Sequence, residues 1–455
     1  MNAVTHARIG TSVRTDPVGL TADLIRIDTT NPPGHEAELV RYITPLLRRA
    51  GVEPFVTGPA QDRLSLVARF PGRGAAPPLL LHAHADVVPT AGQVWTHPPF
   101  EGRLVDGEIW GRGAIDMKGG LAMMMCALGR IAAAGERPAG DVVLAVVADE
   151  EQGSRHGASY LVSEHARLFD GVRYAIGEEG GADIDLGGRR FHPIVVAEKR
   201  ACWLRVTLRG PGGHGSRLPS PATPMAKLGA MLTALTAVRL PRHRTPAADR
   251  MLAALSAALP GPLADRVAAL RTGSDEDEKA AGLPEAAARY LDSLLRHTVN
   301  PTIIRTAEKI NVVPAEITVD LDGRILPGEF GREDLVREVR ALIGPGPQVE
   351  VLHEEGGEAA RAAIAEPEFG PFYHLLAGLL AQHDPEGVAL PMITPATTDA
   401  IIFAQLGIRC YGWLPMRLPA GSGHRALLHA ADERVPAEAL EFGTQCLTQL
   451  LRGYP

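Results

Sequence analysis

The sequence predicts an α/β protein: a mainly parallel mixed sheet flanked by helices, interrupted by an inserted α+β domain. Three observations predict it. Short apolar runs alternate with helical segments through the first 180 or so residues. Those runs are nearly continuous in apolar residues, as strands covered on both faces are. Near residue 199 the pattern changes to period-2 alternation, as in a sheet with one solvated face.

Taken in order, residues 17–50 read as two helices around the loop "IDTTNPPG" at 27–34, and Gly51 ends the second. "LSLVARF" (64–70) and "PLLLHAHAD" (78–86) read as strands. "GGLAMMMCALGRIAAAG" (119–135) is a helix, and "DVVLAVVADEE" (141–151) an apolar strand that runs into acid. A helix at 156–169 and a strand end at "YAIGEEGG" (174–181) follow. From 201 the strand "ACWLRVTLRGPGGHGS" alternates, helices are expected at about 222–238, 247–258, 262–271 and 284–297, and alternation returns at 309–328. "GSDEDEKAAG" (273–282) reads as a solvated loop. Helices at 331–343 and 370–382 and an apolar loop–strand stretch at 400–415 complete the chain. The expected division is a first domain in two parts, 1–198 and 326–455, around an inserted domain, 199–325.

With 455 residues the chain is long enough for two cores. The net charge of −7, with no basic cluster interleaved with aromatics, argues against nucleic acid and anionic membranes as partners. No apolar run of about 18 residues predicts a spanning helix. The start has no signal-peptide core, and Cys126, Cys202, Cys410 and Cys446 are scattered singly. A cytoplasmic protein with buried thiols is expected.

Four places in the first part end an apolar strand or follow one with acid or histidine: "HAHAD" (82–86), "WGRGAIDMKGG" (110–120), "ADEEQG" (148–153) and "GEEGG" (177–181). A fifth, "LLHAADERVP" (427–436), lies near the C-terminus. In open α/β sheets the carboxyl ends of the strands form the ligand crevice, so these groups can converge there. Histidine and carboxylates without thiolates suit zinc or cobalt better than manganese. Two such ions about 3.5–4 Å apart clamp a hydrolytic reaction. Each piece alone also has a plain reading as a cap, a hydrogen-bonded loop residue or an ion pair. Glu150 and Glu151 are the exception, since an apolar strand ending in two adjacent carboxylates demands a counter-cation or a raised pKa.

Together, in this order, the motifs resemble the M20 family of metallopeptidases and aminoacylases, over nearly the whole chain. The resemblance implies a zinc-exopeptidase-like fold, two divalent metal ions, most simply zinc with cobalt as the other candidate, and a homodimer formed through the inserted lid domain. Its H-x-D-x-V-P pattern falls on His84 and Asp86, implying a metal ligand and the partner that orients it; His82 lies outside the pattern and reads as a hydrogen-bonded strand histidine. G-R-G-x-x-D makes Asp116 the bridging carboxylate, with Met117 where many members have a second Asp, and a cis peptide often lies between those two positions. Glu150 matches the general base, and Glu151, Glu179 and His429 match ligands, with Glu433 a partner to the last. One ion would have His84, Asp116 and Glu179; the other Asp116, Glu151 and His429. His214 in "GPGGHGS" matches a histidine that reaches the other subunit's site to stabilise an oxyanion. Asn311 and Arg324 match substrate contacts, Arg324 for a carboxylate, an internal ion pair being its plain alternative. Thr398, Asp399 and Ala400 keep part of a G-G-T-D-A-R pattern on the substrate side, but Ala396, Thr397 and Ile401 depart from it. "PAGSGH" (419–424) is expected at the pocket rim.

The reading is a metal-dependent amidohydrolase acting on a small molecule with a free carboxylate, such as an N-acyl amino acid. A carboxypeptidase or dipeptidase with the same centre is the enzymatic rival, with a specialised deacylase or desuccinylase also open. A catalytically silent binding protein is the rival of another class, and an intact Glu150 counts against it.

Overall fold

The computed structural model describes residues 14–181, 183–271, 283, 285–307, 309–356, 367–419 and 423–454. The expected loop at 273–282 and residues 420–422 of the glycine-rich rim lie outside them. The chain divides into two compact units. The first comprises Met1–Val196, Glu368–Met392 and Thr398–Pro455; the second Ala197–Pro367 and Ile393–Thr397.

The first unit is built on a nine-stranded mixed sheet. Its order is Phe55–Ala60, Arg63–Phe70, Val142–Val147, Leu79–His84, Tyr174–Gly177, Arg409–Gly412, Arg189–Glu198, Val388–Thr394, with Ile184–Leu186 beside Arg189–Glu198. The four central strands, Val142–Val147 to Arg409–Gly412, run parallel. Phe55–Ala60 and Arg63–Phe70 add antiparallel on one side, and Arg189–Glu198 on the other. Every residue of Leu79–His84 and of Val142–Val147 is buried, which explains their unbroken apolar sequences. The helix Lys118–Ala133 packs on Leu79–His84 and on the C-terminal helix Ala437–Gly453. No helix among the described residues is long and apolar enough to cross a membrane. All four cysteines are thiols, none in a disulfide, with Cys126, Cys202 and Cys446 buried as expected and Cys410 only half-buried.

The second unit carries a four-stranded antiparallel sheet, ordered Thr298–Arg305, Glu316–Ile325, Arg200–Arg209, Gln348–Glu354. Leu204, Val206, Leu208, Ile317, Val319 and Leu321 bury one face of it. The helices Pro224–Ala237 and Arg332–Ile343 pack on that sheet. Gly323 sits where strands press together: a Cβ there would lie 2.3 Å from the Cys202 carbonyl oxygen.

Two expectations change here. The boundary at 326 is corrected, because Gln348–Glu354 hydrogen-bonds to Arg200–Arg209 and carries its helix with it, so the second unit runs on to Pro367. The helix expected to about 297 ends at Ser293, and the strand Thr298–Arg305 that follows is unexpected. Its residues Thr298, Val299, Ile303 and Ile304 find ladder partners on Glu316–Ile325, a tertiary pairing that local periodicity does not register.

Candidate metal centre

Leu79–His84 ends on His84, whose ring is buried. Its Nδ1 lies 3.0 Å from the Asp86 backbone carbonyl, which only accepts, so Nδ1 carries the proton. The Nε2 lone pair then faces Asp116 Oδ1 at 2.8 Å and Glu178 Oε2 at 3.1 Å. A lone pair held against two carboxylates needs a proton or a metal cation between them. Asp116 turns its other oxygen, Oδ2, to His429 Nε2 at 3.0 Å, and Glu151 Oε2 lies 3.4 Å from the same nitrogen. Donor atoms of His84, Asp116 and Glu178 all fall within 4.8 Å of one another, as do those of Asp116, Glu151 and His429. Asp116 is common to both groups.

The surroundings fix this geometry. The Glu433 carboxylate accepts from the backbone nitrogens of Gly113, Ile115 and Asp116, at 3.1, 2.8 and 3.1 Å, and pairs with buried Arg112. It therefore holds the loop that presents Asp116. The Asp116–Met117 peptide is cis, as the resemblance implies. The Asp86 carboxylate does not reach the His84 ring within hydrogen-bond distance, its Oδ1 being 3.7 Å from Nδ1. It accepts instead from the backbone nitrogens of Glu150 and Glu151, both at 3.1 Å, and from Asn31 Nδ2 at 2.8 Å. Asp86 thus orients His84 through its carbonyl and the Glu150–Glu151 turn through its carboxylate.

The electrostatics match a cation site. Burial, reinforced by the charge of Glu178, holds Glu150 well above the usual carboxylate range. Burial pushes Glu178 up to about 8. His429 is raised to about 10 by its hydrogen bonds to Asp116 and Glu151. Burial opposes charge on His84, but Glu178 and Asp116 outweigh it and hold its pKa well above the ordinary value. Among the described residues, Glu151 Oε1 is buried with no hydrogen-bond partner. Nitrogen and oxygen donors without thiolate, an orphaned carboxylate oxygen and an excess of acid all fit two divalent cations.

A model of peptidase family M20/M25/M40 matches residues 80–453. The chain belongs to this family. It is a hydrolase of the M20 type. It is 25% identical to aminoacylase-1 of Sus scrofa, over 95% of this chain and 94% of that one. The structure of an M20 family metallo-carboxypeptidase from Sulfolobus solfataricus superposes with a TM-score of 0.69 at 18% identity, covering 97% of this chain and 100% of that one. A dinuclear metal-binding M20 peptidase of Bacillus subtilis superposes with a TM-score of 0.58 at 16% identity, covering 96% of each chain.

One M20 assignment needs correction. The acid that meets His84 and Asp116 is Glu178, not Glu179. Tyr174–Gly177 ends one residue earlier, so Glu178 leaves the strand towards the centre, and Glu179 takes a left-handed turn at φ 70°. His82 is buried and neutral, with burial lowering its pKa to about 3, and packs against Phe403. Its Nε2 has no partner among the described residues, so the expected hydrogen bond from that nitrogen is not made. The ring lies over Gly177, where a Cβ would sit 2.0 Å from Nε2.

The remaining expected residues are placed as follows. His214 is exposed on Gly213–His214, paired with Val312–Val313, and its Nδ1 lies 2.8 Å from Ser216 Oγ. Asn311 is exposed, and its carbonyl accepts from Gly215 N at 2.9 Å, so these two segments are neighbours within the second unit. Arg324 donates to Asp322 from Nε and Nη2, at 2.9 and 3.2 Å, and from Nη1 to Thr397 Oγ1 at 3.3 Å. The Thr398 hydroxyl accepts from Ala400 N at 3.1 Å. Sequence reasoning missed Asn31, Glu36 and Arg63. Asn31 bridges Asp86 to Asp149, and Arg63 ties Asp149 to Glu36, at 2.6 and 2.9 Å. "TTNPPG" was the available signal for Asn31; a lone strand arginine gives none.

Proposed function

We propose that this protein is a two-metal amidohydrolase that cleaves an amide bond next to a free carboxylate, an N-acyl amino acid being the substrate that fits best. His84, Asp116 and Glu178 would hold one ion, and Asp116, Glu151 and His429 the other; zinc suits these donors best, with cobalt next. Bound there, divalent ions supply polarisation of the scissile carbonyl and of the attacking water. The observation that carries the reading is the Asp116 carboxylate, with one oxygen 2.8 Å from His84 and the other 3.0 Å from His429.

Glu150 takes the water proton and returns it to the leaving nitrogen. Glu150 can do both because it adjoins the proposed ligand Glu151 and leaves the same strand end as that ligand. Asp86 fixes the turn that aims Glu150 by accepting from its backbone nitrogen. Arg324 receives the substrate carboxylate on the guanidinium edge that Asp322 leaves open, and Asn311 assists. Thr398 belongs to the substrate side. The second unit serves as lid and dimerisation domain of a cytoplasmic homodimer, in which His214 stabilises the oxyanion in trans.

The test loads purified protein with zinc or cobalt and screens N-acyl amino acids against dipeptides. Hydrolysis of the former is expected; cleavage of dipeptides alone would make the protein a dipeptidase or carboxypeptidase with the same centre. Glu150→Ala should keep both ions and lose about 10²–10⁴ in kcat. Turnover by that variant at the wild-type rate would remove Glu150 from the mechanism. Activity confined to substrates without a free carboxylate would remove Arg324. Full activity as a monomer would remove the trans role of His214.

A further inference from the structure

A cavity of about 80 Å³ opens beside the candidate centre, wholly within the first unit. Asp116 and Glu178 form one wall. Ile115, Met117, Leu414, Met416, Leu418 and Leu428 form most of the rest. Met117, Leu414 and Met416 are buried, and Ile115, Leu418 and Leu428 are half-buried. The Met117 sulfur lies 3.3 Å from the His84 backbone nitrogen, which packs this side chain directly beneath the centre. His424, whose Nε2 lies 2.7 Å from Glu108, and Glu179, Gly181 and Arg425 complete the wall.

One water needs about 10–15 Å³, so this space takes a group of a few non-hydrogen atoms. A carboxylate placed there would lose its water against six apolar side chains and lie beside three acids, Asp116, Glu178 and Glu179. The cavity shares Asp116 and Glu178 with the centre, where the scissile carbonyl must lie. The substituent on the carbonyl carbon therefore reaches it first. We infer that the cavity is the acyl subsite, and that the substrate is an N-acyl amino acid whose acyl group is an uncharged aliphatic chain of a few carbons. The inference rests on the amidohydrolase reading above.

The experiment compares N-acetyl-, N-butanoyl-, N-hexanoyl- and N-succinyl-leucine on the metal-loaded enzyme. kcat/KM is expected to rise about fourfold per methylene until the cavity is full, so on the order of tenfold from acetyl to butanoyl. The succinyl compound should fall below the butanoyl one. Leu428→Lys, at a half-buried position, should flatten the series and raise succinyl relative to butanoyl at unchanged metal content. Leu418→Lys provides the same test if that variant does not fold. A flat series, or preference for succinyl in the wild type with Arg425 as its partner, would overturn the inference. To separate this from failure of the reaction, the same four compounds are titrated calorimetrically into the Glu150→Ala protein. Affinity that rises with chain length supports the subsite even if none is hydrolysed. Equal affinities, or no binding, overturn it even if all are hydrolysed.

Discussion

Among the described residues, two groups of histidine and carboxylate, one in each unit, differ in a single proton. In the first, His84, Asp116 and Glu178 gather their donor atoms within 4.8 Å; in the second, His243, His297 and Glu338 do the same. Both are largely buried. His84 Nδ1 faces a carbonyl at 3.0 Å and must donate, which frees Nε2 as a ligand. His297 Nδ1 accepts from the Leu326 backbone nitrogen at 3.0 Å, so a neutral His297 keeps its proton on Nε2, the atom turned towards Glu338. Burial lowers the His297 pKa to about 3, which keeps that ring neutral. Its neighbours are His243, with ring centroids 4.7 Å apart, and Phe330 at 5.1 Å. Proximity of donors therefore does not make a metal site. The partner of the far ring nitrogen decides whether a histidine ligates or packs.

The comparison breaks most visibly at Asp116. Asp116→Ala removes the carboxylate common to both metal groups and should leave less than one ion per chain by elemental analysis, with hydrolysis at background. Retention of two ions would mean that the metals lie elsewhere, the second cluster included. Next in size, Glu178→Ala should lower metal content and activity together, while Glu179→Ala should leave metal content unchanged. The opposite result would restore the assignment that the motif alone suggests. Asp86→Asn keeps the carbonyl that orients His84 but weakens the hold on the Glu150–Glu151 turn. It should cost about 10- to 100-fold in activity, in the range of other residues that support a metal ligand. Unchanged kinetics would show that the turn needs no carboxylate beneath it.

Much of the first cluster was legible in the sequence because its chemistry sits at strand ends. "LLLHAH" and "VVLAVV" had to be buried strands, and their polar exits had to meet at one edge of a parallel sheet. Which of two adjacent glutamates turns inward depends on the residue at which Tyr174–Gly177 stops, and a one-residue difference in a strand end reverses the side-chain direction. The supporting shell was less legible still. Arg63, Glu36 and Asp149 are 27 to 113 residues apart and meet only through sheet topology. The second unit's extent was hidden for the same reason: Gln348–Glu354 belongs with Arg200–Arg209 by ladder pairing, not by nearness in the chain. The second cluster was not visible at all, because a packed histidine carries no pattern.

His297 offers the smallest and sharpest test of that distinction. His297→Asn can place its amide oxygen where Nδ1 was, keeping an acceptor for Leu326 N–H; His297→Leu cannot. Stranding that buried donor should make the Leu variant less stable than the Asn variant by about 1–3 kcal/mol in urea unfolding. Both should retain two metal ions and the wild-type kcat. The pH dependence follows from the depressed pKa. Between about 3, where folded His297 titrates, and about 6.5, where an unfolded histidine does, the unfolded chain binds a proton that the folded chain refuses. The contribution of the neutral ring is therefore fully present above about 6.5 and is lost as the pH falls towards 3. Neither variant has a titrating ring, so stability should fall less steeply than in the wild type as the pH is lowered from 6.5. An equal slope would mean that His297 is already protonated in the folded protein, and a loss of metal ions from either variant would make this cluster a ligand set after all.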